Sequence, residues 1–262
     1  MAPRRRLDAE LVRRGLARSR AHAGELLAAG RVLLAGQEAT KAATQGDPAV
    51  AILVRELPGE PDYVSRGGHK LAGALDAFAA NGLAVPGRHC LDAGASTGGF
   101  TDVLLQRGAA RVYAIDVGQG QLDWKLRQDA RVVVLERTNA RYVESLPEPV
   151  ELVVIDVSFI SLRIILPAVA QWLGPAADVI ALIKPQFEAG PESVGKGGIV
   201  RDAAVRRRVL EDVLGWAAAH GWGVGGLVRS SLVGGDGNVE YLVWLRPGGE
   251  SADLGGLINS VE

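Results

Sequence analysis

Hydrophobic and polar positions divide the chain into two stretches of different rhythm. Near the N-terminus, Leu7, Leu11, Val12 and Leu16 recur at helical spacing with arginines between them. Ser19 is placed to cap a second helix, Arg20 to Ala29, and Gly30 to end it. Arg31–Leu34 and Ala49–Val54 read as strands, with Ala35-Gly36 as a turn. The pattern predicts two helices on a small sheet over residues 1–57. Leu57-Pro58-Gly59-Glu60-Pro61 then breaks the rhythm with two prolines and a glycine, and residues 58–64 read as a linker.

From residue 65 to 262 strand-like apolar runs alternate with helical stretches. The runs are Arg88–Asp92, Arg111–Asp116, Arg131–Leu135, Leu152–Asp156 and Asp178–Ile183. Helical stretches fall near 98–107, 121–128, 161–173 and 201–220. Strands apolar on both faces, alternating with helices, predict a parallel α/β sheet covered on both sides. Gly225–Arg229 and Val239–Arg246, joined by a glycine-rich link at Gly234–Gly237, read as an antiparallel edge pair.

Composition narrows the classes. With 48% hydrophobic and 23% charged residues, the chain can bury a sizeable core and is not disordered throughout. The single cysteine, Cys90, forms no internal disulfide, and with His22, His69, His89 and His220 scattered no clustered zinc site is expected. No apolar run reaches about 18 residues, the length of a membrane span. Asp8 and Glu10 fall where a signal peptide would need an apolar core, so a cytoplasmic protein with no membrane partner is expected.

Charge changes the picture more. Residues 1–35 hold eight arginines against Asp8, Glu10 and Glu25, a net of +5; the total is −1, so the remainder carries −6. A basic module on a mildly acidic body suits nucleic-acid attachment, with a solvated basic helix face as the plainer alternative. Arg4, Arg5, Arg6, Arg13, Arg14, Arg18 and Arg20 are the candidate nucleic-acid contacts, joined by Arg66 after the linker.

The candidate chemistry starts at Asp92-Ala93-Gly94-Ala95-Ser96-Thr97-Gly98-Gly99, after the first long strand and before a helix, where α/β sheets bind ligands. Ser96 stands where a dinucleotide fingerprint has its middle glycine, and Asp92 would repel a pyrophosphate but suits a cationic amino-acid ligand. Asp116, beside Val117 at the end of the next strand, could accept both hydroxyls of a ribose. Together these point to S-adenosyl-L-methionine, against the alternative of a glycine turn that binds nothing.

Cys90 lies inside an apolar strand, which disfavours carbon methylation through a cysteine nucleophile. Asp156-Val157-Ser158-Phe159 lacks the prolines common in amino-group methyltransferases, which leaves oxygen. A ribose hydroxyl is a poor nucleophile and needs proton removal and a nearby cation. Asp156, Lys184 before Pro185, Glu240 and Lys70 supply such groups at strand ends and a helix start.

With these motifs assembled, the chain resembles the haemolysin-named TlyA family of ribosomal-RNA cytidine 2′-O-methyltransferases over essentially its whole length. Arg6-Leu7-Asp8 through Arg20 resembles the S-four RNA-binding domain. Val64–Gly67, Asp92–Phe100, Glu136–Arg141, Ser158–Leu162, Lys184–Glu188 and Gly237–Tyr241 resemble the family's other signatures in order. The resemblance implies a Rossmann-like class I methyltransferase, with a mostly parallel seven-stranded sheet and a small N-terminal RNA-binding domain. Its partner would be ribosomal RNA or a ribosomal subunit, and the enzyme is expected as a monomer. The catalytic Lys-Asp-Lys-Glu set it implies falls on Lys70, Asp156, Lys184 and Glu240. One departure is Pro61-Asp62-Tyr63-Val64, where family members that modify both subunits can carry Arg-x-Trp-Val. The rivals are a non-catalytic ribosome-assembly factor and a membrane-lytic toxin.

Overall fold

The structure is a computed structural model that describes residues 5–17, 20–46, 50–55, 62–234 and 237–262. Arg4, Arg18 and the expected cap Ser19 lie outside the described residues. The chain divides into two compact units, Met1–Asp62 and Tyr63–Glu262.

In the first unit, β1 (Arg5–Arg6) leads into α1 (Leu7–Arg13), followed by α2 (Arg20–Ala28), β2 (Val32–Leu34), β3 (Gln37–Glu38), β4 (Gln45–Gly46) and β5 (Ile52–Val54). β2 is the central strand of an antiparallel trio with β3 and β5, and β1 pairs with β4. Leu7 and Leu11 of α1 and Ala23, Leu26 and Leu27 of α2 close a small core with Val32. The short β1, β3 and β4 have no apolar alternation to betray them in the sequence.

The second unit takes in Tyr63 and Val64, which sequence pattern assigns to the linker; both are buried in its core. It runs α3 (Gly67–Ala79), β6 (His89–Ala93), α4 (Gly99–Gln106), β7 (Arg111–Ile115), α5 (Trp124–Arg127), β8 (Val132–Leu135), β9 (Val150–Ile155), α6 (Leu162–Ala170), β10 (Leu173–Ile183), α7 (Pro185–Glu188), α8 (Ala203–Ala219), β11 (Trp222–Arg229), β12 (Tyr241–Pro247) and α9 (Leu254–Asn259). The seven strands order as β11-β12-β10-β9-β6-β7-β8, parallel except for β12, which runs antiparallel to both β10 and β11.

Period-two alternation explains the two layers. Leu91, Tyr113, Ile115, Val153, Ile155, Val179 and Ala181 face a core closed by α6, α8 and α9. Their neighbours Cys90, Val112, Ala114, Leu152, Val154, Ile180 and Leu182 face the core closed by α3 and α4. α3 fits because Leu71, Ala74, Leu75 and Phe78 fall on one helical stripe. β10 begins earlier than the apolar run predicts, because Leu173 pairs with Val150 before an irregularity at Leu173/Asp178. The chain leaves β6 for β7 and β8 on one side, then returns for β9 on the other. The crevice above β6 and β9 is therefore where an α/β sheet takes a ligand.

Candidate functional site

The loops after β6, β7, β8 and β9 surround a cavity of about 930 Å³ lined by Gly94, Ser96, Asp116, Val117, Gln121, Thr138–Arg141, Asp156–Ser161 and Phe187, among others. A smaller hollow of about 120 Å³ joins Ser65 and Gly67 to Ala95, Thr97, Gly99 and Asp156. Gly94 and Gly98 are required by backbone geometry, with φ of +89° and +98°. A side chain on Gly94 would strike the Asp156 carbonyl, and one on Gly98 would strike Leu126. The loop is thus drawn against β9 and α5, and it opens α4.

Asp116 organises this rim. Its Oδ2 accepts the Ser96 backbone N–H at 2.8 Å and its Oδ1 accepts that of Gly118 at 2.7 Å. Asp92, expected to face the ligand, is instead fully buried beneath the loop. Its Oδ2 accepts the Thr101 hydroxyl at 2.7 Å, while its Oδ1 has no hydrogen-bond partner. Burial pushes its carboxyl up to about 7, with the Thr101 hydrogen bond opposing and Asp156 adding to the rise. Val117 lines the cavity and is largely exposed.

Beside the cavity two lysines are each held by a carboxylate. Lys184 Nζ lies 2.6 Å from Asp156 Oδ1 and donates to Ser158 Oγ at 3.0 Å. Lys70, in the first turns of α3, pairs with Glu240 in buried surroundings. Register brings the pairs to one place. Ile183 of β10 sits opposite Tyr241 of β12, so Lys184 and Glu240 occupy the next rung beyond the paired ends. β9 delivers Asp156 at the same end, since Ile155 pairs with Ala181.

Sequence pattern alone does not mark Phe159 or Glu188. Phe159 is 90% exposed at the cavity rim, with φ of +63°, and its ring centroid lies 4.9 Å from that of Phe187. Ser96 and Arg137, at φ of +48° and +52°, share that left-handed strain on neighbouring loops. Glu188 ties the loop down: it accepts the Ser161 hydroxyl at 2.7 Å and the Leu162 N–H at 2.8 Å, and burial raises its pKa. The available signal is the aromatic in Ser158-Phe159-Ile160-Ser161, a stretch that follows a strand end and belongs to a family signature.

In the small unit four arginines are held by two buried carboxylates. Buried Asp8 accepts from Arg6 at 3.1 Å and Arg20 at 2.8 Å. Fully buried Glu10 accepts from Arg13 at 2.8 Å and Arg14 at 2.7 Å. The Arg13 and Arg14 hydrogen bonds hold the Glu10 carboxyl down to about 2. Arg5 is exposed in β1, and Arg66 is exposed at the start of α3. Each carboxylate fixes two guanidinium groups and leaves one positive charge, so what a charge count reads as opposition is a scaffold for arginines.

Comparison with known proteins agrees with this division. The family model described as FtsJ-like methyltransferase matches residues 63–247, and that of the S4 domain matches residues 5–47. A 16S/23S rRNA (cytidine-2′-O)-methyltransferase TlyA of Mycobacterium tuberculosis is 55% identical over 248 residues, covering 94% of this chain and 91% of that protein. A solved structure of a hemolysin-named protein from Streptococcus thermophilus superposes with a TM-score of 0.76 at 40% identity, covering 99% of this chain and 96% of the other. Another hemolysin-named structure, from Lactococcus lactis, gives 0.71 at 48% identity, covering 77% of this chain and 99% of the other.

Proposed function

The chain belongs to the TlyA family, in which an FtsJ-like methyltransferase is joined to an S4 domain, and from that premise we propose that it methylates the 2′-hydroxyl of a cytidine in ribosomal RNA. The observation that carries the reading is the delivery of Lys184–Asp156 and Lys70–Glu240 to adjoining strand ends beside the cavity. Among the described residues, no helix is long and apolar enough to cross a membrane.

A methyltransferase of this fold uses S-adenosylmethionine, and the residues present fit it. The cavity is roomy, Gly94 and Gly98 let the loop lie close against Asp156 and Leu126 at its edge, and Asp92 Oδ1 is a buried acceptor without a partner beneath the loop. Asp116 would hold the ribose hydroxyls, the Gly94–Gly99 loop would hold the amino-acid moiety, and Val117 would line the pocket for the base. When bound, the cofactor supplies an electrophilic methyl group.

The chain's own residues do the rest. Asp156 and Ser158 fix the Lys184 Nζ at the rim; there the neutral amine, its own proton released to solvent, orients the ribose hydroxyl and accepts its proton as the oxygen takes the methyl group, becoming the ammonium. Glu240 holds Lys70 as the second cation near the developing oxyanion. Phe159 offers an exposed ring on which a base drawn out of its helix stacks. Asp8 and Glu10 keep the small unit's arginines presented to phosphates, which supply affinity and position. The test is methyl transfer from labelled cofactor to unmodified ribosomal subunits, followed by mapping of ribose methylation. Label at a cytidine 2′-oxygen is expected; label confined to bases or to protein would refute the reading.

A further inference from the structure

Around the large sheet several basic side chains are held by carboxylates. At the strand starts, Arg88 pairs with Asp178 at 2.5 Å, Arg111 with Glu148 at 2.9 Å, and Arg131 with Asp129 at 2.7 Å. At the opposite end, beyond β10, Lys196 and Arg201 are exposed and have no carboxylate partner among the described residues. Exposed cations without a carboxylate partner suit an anion that arrives from outside.

These two cations sit on a built turn. Gly195 N–H donates to the Ile199 carbonyl at 3.1 Å, and Gly198 N–H to the Gly195 carbonyl at 3.0 Å. Gly197 and Gly198 both have positive φ, +82° and +75°, with nothing within 4 Å of an added Cβ. They are therefore glycines for the sake of the bend, which carries Lys196 at its tip. Arg201 lies against the same turn, its Nη1 3.7 Å from where a side chain on Gly195 would begin. The neighbouring carboxylate, Asp202, accepts the Ala204 N–H at 2.9 Å as the cap of α8.

The turn is stapled to the reactive end of the sheet. Asn238, 1% exposed, accepts the Val200 N–H at 2.9 Å and donates to the Gly198 carbonyl at 2.8 Å. Two residues further on, Glu240 holds Lys70. A group gripped at the turn is thereby kept at a fixed offset from that pair.

We propose that the Gly195–Val200 turn with Arg201 is a second phosphate-binding site for the RNA substrate, in which Lys196 and Arg201 grip backbone flanking the target nucleotide. The inference rests on the reading of the protein as an RNA methyltransferase. RNA is the fitting partner because the turn stands at the same end of the sheet as the cavity, where the substrate must arrive.

The test uses the full chain with Lys196→Ala and Arg201→Ala combined. Binding to unmodified ribosomal RNA is measured across a salt series, with cofactor affinity and single-turnover transfer at saturating RNA alongside. Losing two phosphate contacts should flatten the plot of log affinity against log salt by about 1.4–1.8 in slope. Affinity should fall about tenfold or more at low salt, while cofactor binding and the saturated rate stay unchanged. The swap of Lys196→Arg with Arg201→Lys should retain the wild-type slope. If the wild type binds and methylates RNA while the alanine variant keeps its slope and affinity, this site is overturned alone. If the wild type does not bind RNA, the underlying reading falls and takes the site with it.

Discussion

Ser96 and Asp116 are joined across the cavity rim: the backbone N–H of Ser96, at a left-handed φ of +48°, donates to Asp116 Oδ2 at 2.8 Å. One carboxylate therefore sets the shape of the glycine loop, and in the proposed function it would also hold the cofactor's ribose. Asp116→Ala should weaken S-adenosylmethionine binding by about 1.5–3 kcal/mol, the scale of hydrogen bonds to a charged group. Titration calorimetry checks this, and unchanged affinity would remove Asp116 from the cofactor site.

Asp92 should make the unliganded fold pH-sensitive. Its carboxyl ionises near 3.8 when unfolded but only at about 7 in the fold, because burial disfavours the charge. The raised value means that its contribution is fully present below about 3.8 and is lost as pH rises toward 7, on the order of 2–4 kcal/mol. Asp92→Asn keeps an acceptor for Thr101 and removes the titration. Denaturant midpoints at pH 4, 6 and 8 should decline less in that variant than in the wild type; parallel declines would contradict the assignment.

Phe159 should be dispensable for folding and needed for substrate. It is 90% exposed, so Phe159→Ala should shift stability by no more than about 0.5 kcal/mol, the usual range for surface changes. Loss of a stacking face should weaken productive RNA binding by about 1–3 kcal/mol, seen as a raised KM for RNA with cofactor affinity intact. An unaltered KM would leave the exposed ring without a role.

The basic unit gives a separable prediction. Arg20→Ala removes one guanidinium from Asp8 and should lower the salt slope of RNA binding by about 0.7–0.9, with no effect on cofactor binding. The same slope with only a stability loss would mean that Arg20 serves Asp8 rather than RNA.

How much of this was legible in the sequence follows from the physics of each signal. The layered sheet was, because strands buried on both faces must be apolar at every position, as Cys90–Leu91 and Ile180–Ala181 are. The Lys184 and Asp156 positions were too, since polar groups ending apolar strands stand out. The roles of Asp8 and Glu10 were not, because a charge count cannot tell an opposing carboxylate from one that is buried and holds two arginines. Asn238 was equally silent: its partners, Gly198 and Val200, lie about forty residues away. α9 escaped because Leu254-Gly255-Gly256-Leu257 carries two poor helix formers; its Ile258 is buried in the core.

The central claim is that Lys184, held by Asp156 at 2.6 Å, handles the proton of the ribose hydroxyl. The most direct measurement is the single-turnover methyl-transfer rate of Lys184→Arg at saturating cofactor and ribosomal RNA. A guanidinium keeps the positive charge but does not give up its proton. The rate should fall about 10²–10⁴-fold, close to the loss for Lys184→Ala, with both binding affinities little changed. A near-normal rate for Lys184→Arg would contradict the account, making the lysine a cation only and placing the base elsewhere.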